Sequence, residues 1–147
     1  FIALVFHQTV FFLIFSLQDL WNIAAHNELC TWGEQIALEH LIEQGYTILE
    51  TNWVCGHKEV DIIAKDGDTI VFVEVKTRKS PYLVEPETAV DLFKQRLLIF
   101  AANTYVTRFQ YDLDVRFDII GIVIDNNNEK RIEHIMDAFY PSYKNFR

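Results

Sequence analysis

The sequence contains little cysteine, proline or glycine: two, three and five residues, respectively, out of 147. Two cysteines provide no disulfide framework and no CxxC pair, so the sequence predicts a reducing, cytoplasmic location. The histidines lie at no ligand spacing from a cysteine, which argues against a zinc site. With 50% hydrophobic and 23% charged residues and no internal repeat, the composition predicts one globular domain with a substantial core.

Basic residues are also scarce, since 13 Lys and Arg stand against 21 Asp and Glu, for a formal charge of −8. This balance argues mildly against a general polyanion binder. The charge is uneven, because residues 1–57 contain six acids and no Lys or Arg, whereas seven bases fall between Lys76 and Arg116. The sequence therefore predicts a locally basic face on an acidic molecule.

The first 18 residues, FIALVFHQTVFFLIFSLQ, contain no charged side chain, and the chain does not begin with Met. A spanning helix needs about 20 apolar residues, and His7, Gln8 and Thr9 interrupt this segment. A secretory signal would begin with a basic region, which is absent. Three interpretations stay open: a weak membrane anchor, a helix that lies on the domain, and a leader outside the working protein. We favour the third and do not expect membrane association.

Hydrophobic periodicity and turn residues predict seven elements. They are a helix over 27–44 that ends at Gly45, strands over 46–54, 59–64 and 69–77, a helix over 87–107, and strands over 116–124 and 131–139. The helix over 87–107 is expected to bury the face that carries Val90, Phe93, Leu97, Phe100, Ala101, Thr104 and Tyr105. The order α-β-β-β-α-β-β predicts a mixed α/β domain in which a helix crosses over after a meander.

The strand TIVFVEVKT is unusual because Glu74 and Lys76 interrupt an apolar run. Alternation along the strand puts both residues on the face of Phe72. An Asp-Gly dipeptide at 66–67 predicts a two-residue hairpin turn, which would pair Asp61 with Phe72 and make Asp61 the diagonal neighbour of Glu74. Diagonal Cβ atoms lie roughly 7 Å apart, a distance that two carboxylates can close around one ion.

Carboxylates, a carbonyl and waters are the ligands that Mg²⁺ or Mn²⁺ prefers. Lys76 could orient or deprotonate a water, and Glu34 on the first helix could supply a further carboxylate, which suits metal-assisted phosphodiester hydrolysis. A simpler interpretation is that Glu74 and Lys76 form an ion pair on an exposed sheet face and that Asp61 is a solvated strand residue. Spacing alone leaves both interpretations open.

Four ordered motifs carry a family resemblance: WGEQIALEHLIEQGYTILETNW, EVDIIAKDGDTIVFVEVKTR, PETAVDLFKQRLLIFAANTYV and RFDIIGI. In this set the chain resembles the YraN family of small bacterial proteins. That family is assigned to the restriction-endonuclease-like, or PD-(D/E)XK, nuclease superfamily, near archaeal Holliday junction resolvases. The resemblance covers roughly residues 26–138 and implies an αβββαβ core, a mixed sheet flanked by helices.

The resemblance also implies roles for individual residues. Glu34 corresponds to the acid of the first helix, Asp61 to the metal-binding Asp, and Glu74 with Lys76 to the E-x-K pair. Lys94, or Gln95 beside it, falls where the second helix contributes a polar residue near the scissile phosphate. The chain departs from the family at Cys30, where Gly is usual, and in the loop CGHK before the second strand.

The resulting hypothesis is an endonuclease-like domain over residues 23–139, with an extension over 1–22 and a loose tail over 140–147. Asp61, Glu74 and the Val75 carbonyl would bind Mg²⁺ or Mn²⁺, with Lys76 and Glu34 assisting. Arg78, Lys79, Lys94 and Gln95 would contact DNA, including branched DNA, and the resemblance to resolvases implies a homodimer. No small-molecule cofactor is expected. Two alternatives stay open: a catalytically inactive nucleic-acid-binding module of the same fold, and a membrane-tethered interaction protein that uses the apolar N-terminus.

Overall fold

The computed structural model describes residues 2–79 and 90–141, with side chains described from residue 22 onward. Its elements are α1 (Ile2–Glu43), β1 (Thr47–Cys55), β2 (Lys58–Asp66), β3 (Thr69–Lys79), α2 (Leu92–Arg108), β4 (Asp114–Ile124) and β5 (Lys130–Ile135). The predicted order α-β-β-β-α-β-β and the α/β class are confirmed. The predicted start of the first helix at residue 27 was wrong, since α1 already includes Ile2.

The five strands form one sheet in the order β1-β2-β3-β4-β5. Only β3 and β4 pair in parallel, whereas the other neighbouring strands of this sheet are antiparallel. A parallel pair needs a crossover connection rather than a tight turn, and α2 lies within that connection. Residues 80–89 of the same connection, which include the predicted start of the second helix at residue 87, lie outside the described residues.

The chain divides into two compact units, residues 1–32 and residues 33–147. The predicted boundaries at residues 22/23 and 139/140 stay predictions, and residues 142–147 of the predicted tail lie outside the described residues. In the part of the chain that the structure describes, no helix is long and apolar enough to span a membrane.

The end of α1 follows the prediction made from Gly45. This glycine has a φ of 89°, a left-handed conformation that carries no steric penalty without a Cβ atom. The Tyr46 N–H donates to the Leu41 carbonyl and the Gly45 N–H to the Ile42 carbonyl, each over 3.0 Å. These two bonds are the Schellman motif, which satisfies the last carbonyls of α1 and releases the chain into β1.

The sheet is buried on both faces. Side chains of one face form a core with α2, and they include Ile63, Ile70, Phe72, Phe117 and Ile119. The opposite face includes Thr77, and α1 approaches it so closely that a Cβ at Gly33 would lie 1.7 Å from the Thr77 hydroxyl oxygen. Only glycine fits at this contact, so position 33 sets how near α1 lies to β3.

The start of α2 differs from the prediction, and its buried face agrees only in part, since Val90, Ala101 and Tyr105 are buried as predicted. The helix begins at Leu92, because Asp91 is its N-cap and accepts a hydrogen bond from the Lys94 N–H over 2.8 Å. Its buried residues are Leu98, Ile99, Ala101, Ala102 and Tyr105. Phe93 and Phe100, expected in the core, are 68% and 52% exposed. Contact with the sheet therefore covers a stripe beside the one that contains these two aromatic residues.

Candidate active site

The hairpin between β2 and β3 has a register that differs by two residues from the predicted one. Asp66 pairs with Thr69 and Lys65 with Ile70, so the turn residues are 67 and 68 rather than 66 and 67. Gly67 has a φ of 57°, and Asp68 is not among the residues of positive φ. Glycine at the first central position is typical of a type II′ turn, whereas the prediction assumed the type I′ turn of an Asp-Gly pair. A shift of two residues keeps every side chain on its predicted face.

Asp61 and Glu74 lie just beyond the regular pairing of β2 with β3, which ends at Ile62 and Val73. There the Val75 N–H donates to Asp61 Oδ2 over 2.7 Å, so a side chain takes the place of a backbone partner. The charge of Glu74 also acts on Asp61. The two carboxylates thus lie close together where the two strands separate.

Glu74 is held between two lysines. Its side chain is 2% exposed, Lys76 Nζ lies 2.6 Å from Oε1, and Lys94 Nζ lies 3.0 Å from Oε2. The contact with Lys94 is an ion pair without the alignment of a hydrogen bond, which leaves Oε2 buried with no hydrogen-bond partner. Burying a carboxylate is costly unless it is paired, and the two lysines, 27% and 31% exposed, supply that pairing while staying open to solvent. The alternative of an exposed ion pair on the sheet is therefore wrong.

Asp61 has an unusual electrostatic environment. Burial raises its pKa most, and the charge of Glu74 raises it further. The Val75 N–H and Lys94 act in the opposite direction, and the charge of Glu34 adds a small increase, so that the pKa of Asp61 rises to about 7. At neutral pH this carboxyl group is close to half protonated, and an added cation would displace the proton.

Only some of the other residues predicted for the site interact with Asp61 or Glu74. Lys94 reaches Glu74 from α2 as the sequence suggested. Gln95 does not, because its amide nitrogen donates to the Val90 carbonyl over 3.1 Å and thereby holds the start of α2. Glu34 is half-buried and acts on Asp61 through its charge, since the described contacts include no hydrogen bond or ion pair between them. Arg78 is half-buried and Lys79 is exposed, both near the end of β3.

The donor set fits a hard cation. Asp61 and Glu74 provide carboxylate oxygens, and one of them, Oε2 of Glu74, is buried without a hydrogen bond. Among the described residues no group of three or more His, Cys, Asp and Glu side chains is placed to hold a metal ion. Mg²⁺ is usually bound by one or two carboxylates and keeps several waters, so two carboxylates suffice for Mg²⁺, whereas they do not form a zinc centre.

A second polar cluster lies on the opposite face of the sheet, and sequence reasoning did not assemble it. Arg116 contacts Asp118 from Nε at 2.9 Å and from Nη2 at 3.0 Å. His134 Nε2 lies 2.9 Å from Asp118 Oδ2, and the Asp137 N–H donates to Oδ1 over 3.0 Å. The signal in the sequence was the pair Arg116 and Asp118 within an apolar strand. These contacts join β4 to β5 and to Asp137, two residues beyond the end of β5, so we assign the cluster a structural role.

The fold and the site define a mixed α/β protein with a buried carboxylate–lysine centre between two diverging strands. The family described as "Uncharacterised protein family UPF0102" matches residues 33–122, which contain the whole of that centre. The chain belongs to the UPF0102 family.

Three UPF0102 proteins illustrate the similarity. The protein from Bacteroides thetaiotaomicron is 48% identical over 119 residues, which cover 81% of this chain and 98% of the relative. The protein from Porphyromonas gingivalis strain ATCC 33277 is 47% identical over 118 residues, 80% of this chain and 87% of the relative. The protein from Flavobacterium psychrophilum is 46% identical over 118 residues, 80% of this chain and 98% of the relative.

Proposed function

We propose that this protein is a metal-dependent endonuclease of the PD-(D/E)XK type, which hydrolyses phosphodiester bonds in DNA. The observation that carries the proposal is the buried Glu74 carboxylate, which lies close to Asp61 and is flanked by Lys76 and Lys94. Two carboxylates and two lysines at one strand fork provide both the ligands for a cation and the positive charge for a phosphate. The resemblance to the YraN family supports the same reaction.

In this proposal Asp61, Glu74 and the Val75 carbonyl hold Mg²⁺ or Mn²⁺. When bound, such an ion stabilises negative charge on a phosphoryl oxygen and lowers the pKa of a bound water. The raised pKa of Asp61, about 7, is consistent with a site that awaits a cation, because deprotonation of Asp61 next to Glu74 becomes favourable once the cation is present.

The lysines act on the nucleic acid. Lys76 donates to Glu74 and is partly exposed, so its ammonium group can also orient the attacking water or stabilise charge that develops on the phosphate. Lys94 approaches the same carboxylate from α2, and in this proposal its ammonium group also pairs with the phosphate. Glu34 assists through water. Arg78 and Lys79, further along β3, contact the DNA backbone. The resemblance to resolvases adds branched DNA as a substrate, a homodimer and a cytoplasmic location to this proposal.

A cleavage assay tests the proposal with labelled branched and linear DNA, with and without Mg²⁺ or Mn²⁺. We expect metal-dependent cleavage by the wild type and a loss of about 10³-fold or more in Asp61→Asn, Glu74→Gln and Lys76→Met. Asp68→Asn is the matched control, because Asp68 is an exposed carboxylate in the turn of the same hairpin. Isothermal titration calorimetry measures Mg²⁺ binding by the same variants.

Two outcomes would contradict the proposal in different ways. If the wild type binds Mg²⁺ and DNA but leaves the DNA whole, the protein is a binding module with this fold. If the wild type binds no Mg²⁺ or Mn²⁺, the carboxylates and lysines form a structural cluster and the proposed chemistry is wrong.

A further inference from the structure

An exposed aromatic stripe runs along α2 beside the candidate active site. Phe93 and Phe100 are 68% and 52% exposed, and Leu92 at the start of the helix is 59% exposed. Seven residues separate the two phenylalanines, so they lie on one side of the helix about 10 Å apart along its axis. An exposed Phe side chain gains none of the hydrophobic free energy that burial would provide. The residues that α2 buries do not include these two phenylalanines. We call Phe93 and Phe100 the aromatic stripe.

The aromatic stripe is bordered by positive charge at both ends. Lys94 follows Phe93 directly, and its ammonium group contacts the buried carboxylate of Glu74. At the other end, Lys58 Nζ lies 3.8 Å from the centre of the Phe100 ring, a cation–π contact. The surface thus combines two aromatic rings with an ammonium group at each end, and one of these ammonium groups belongs to the candidate active site.

Alternating rings and cations match the chemistry of a nucleic acid strand with exposed bases. Aromatic side chains stack on the faces of unpaired bases, and lysines contact the phosphates between them. In a continuous duplex the base faces are covered by their neighbours, so a ring at the surface finds no base face to stack on. Two exposed Phe side chains would therefore add little to the binding of intact duplex.

We infer that the aromatic stripe binds unstacked bases of the strand whose phosphate reaches Glu74 and Lys76, which makes Phe93 and Phe100 determinants of specificity for unpaired DNA. This inference rests on the proposed function. Phe93, adjacent to Lys94, takes the base nearest the cleaved phosphate, and Phe100 takes a base further along the strand.

The test measures binding by fluorescence anisotropy for two DNA duplexes of equal length, one fully paired and one with a central run of unpaired thymidines. Cleavage is prevented by Asp61→Asn in every protein. We expect Phe93→Ala to weaken binding to the DNA with unpaired bases by about 10-fold or more and to leave the paired duplex nearly unchanged. Phe93→Trp should retain the preference, because a larger ring stacks at least as well.

Phe109→Ala is the matched control. Phe109 caps the C-terminal end of the same helix and is 45% exposed, and 16 residues place it about 24 Å from Phe93 along the axis. Its substitution should leave both affinities unchanged. Analytical ultracentrifugation of wild type and Phe93→Ala without DNA tests whether the stripe instead joins two copies of this chain.

If the wild type cleaves DNA, any one of three results would overturn the inference and leave the proposed function intact. The first is equal affinity of Phe93→Ala and the parent protein for the DNA with unpaired bases. The second is an equal loss of affinity for both DNAs. The third is a change in self-association that accounts for any loss of binding. Absence of both cleavage and DNA binding in the wild type would instead overturn the proposed function, and the inference with it.

Discussion

The half-buried carboxylate of Asp61 and the buried carboxylate of Asp118, both in the same sheet, have opposite electrostatic environments. Asp118 lies under Arg116 and His134 and accepts a further hydrogen bond from the Asp137 N–H. Burial by itself would raise the pKa of Asp118, but these hydrogen bonds outweigh it and the pKa is lowered. Asp61 accepts one backbone hydrogen bond and lies beside Glu74, and its pKa is raised to about 7.

The opposite pKa shifts of Asp118 and Asp61 distinguish a structural cluster, around Asp118, from a candidate reactive cluster, around Asp61. A carboxylate with several donors stabilises the fold, because every partner is present in the folded chain itself. A carboxylate that is desolvated beside a second carboxylate, with a single backbone hydrogen bond, destabilises the fold in its charged form and would be stabilised by a cation. Strongly perturbed carboxyl groups at partly open sites are candidates for function.

Removing each carboxylate should change stability in opposite directions. Asp118→Ala leaves the guanidinium group of Arg116 buried without its main partner, so we expect the free energy of unfolding to fall by about 3–5 kcal/mol. Asp61→Asn at about pH 8 removes a repulsion and should leave stability unchanged or higher. Urea unfolding followed by circular dichroism measures both. A large loss in Asp61→Asn together with none in Asp118→Ala would reverse the contrast.

Metal binding should stabilise the protein only when the carboxylate of Asp61 is present. At Mg²⁺ or Mn²⁺ concentrations about 100 times the dissociation constant, binding to the native state adds about 2.7 kcal/mol to the free energy of unfolding. We expect this gain in the wild type and in Asp118→Asn, each compared with its own metal-free form, and none in Asp61→Asn. Thermal unfolding with and without EDTA provides the measurement. An equal gain in Asp61→Asn would place the ion elsewhere.

The pH dependence of stability should differ between the two groups. Because the folded pKa of Asp61 lies above its ordinary value, the native state binds the extra proton, and its contribution to stability falls as the pH rises from about 4 to about 7. Asp61→Asn should therefore match the wild type near pH 4 and exceed it by up to about 4 kcal/mol near pH 8, since each unit of a raised pKa corresponds to about 1.4 kcal/mol.

Comparison of variants over the pH range isolates this effect from other groups. The pKa of His40 is lowered by burial and by the charge of His134, which gives an opposite slope that cancels when two variants are subtracted. The pKa of Asp118 lies below its ordinary value, so its contribution is present above about pH 4 and is lost at more acidic pH. A difference between wild type and Asp61→Asn that stays constant from pH 4 to pH 8 would contradict the raised pKa.

The causes of the raised pKa can also be separated. In Glu74→Gln one charge is removed while burial remains, so the pKa of Asp61 should fall but stay above its ordinary value. Carbon-13 NMR of the aspartate carboxyl groups measures this shift of about one unit. Asp118→Asn serves as the control and should leave the pKa of Asp61 unchanged. An unchanged pKa in Glu74→Gln would mean that the two carboxylates do not interact.

Much of the site followed from local patterns. Alternation along β3 placed Glu74 and Lys76 on the face of Phe72, and their contacts with each other and with Lys94 of α2 agree with it. The exact register of the hairpin was wrong, because glycine can occupy either central position of a two-residue turn and the dipeptide does not distinguish them. The predicted closeness of Asp61 and Glu74 does not depend on that register, since the Val75 N–H and the charge of Glu74 both act on Asp61.

Other features depended on contacts that no local pattern contains. Apolar residues cover so much of the circumference of α2 that more than one side of the helix could pack on the sheet. In the structure the side with Leu98 and Tyr105 is buried and Phe93 is exposed. The cluster of Asp118 and His134 joins residues 16 positions apart through the pairing of β4 with β5. Neither choice changes the local preference of the chain for helix or strand.

The order of the elements, the end of α1 before Gly45 and the shared face of Glu74 and Lys76 could be predicted from local patterns, because they follow from side-chain periodicity and glycine backbone freedom. Which charges meet depends on packing. It set Lys94 against Glu74, left Asp61 beside a second carboxylate and surrounded Asp118 with donors. The physical reason is that burial and charge pairing depend on distances across the sheet, and those distances exist only once strands and helices have packed.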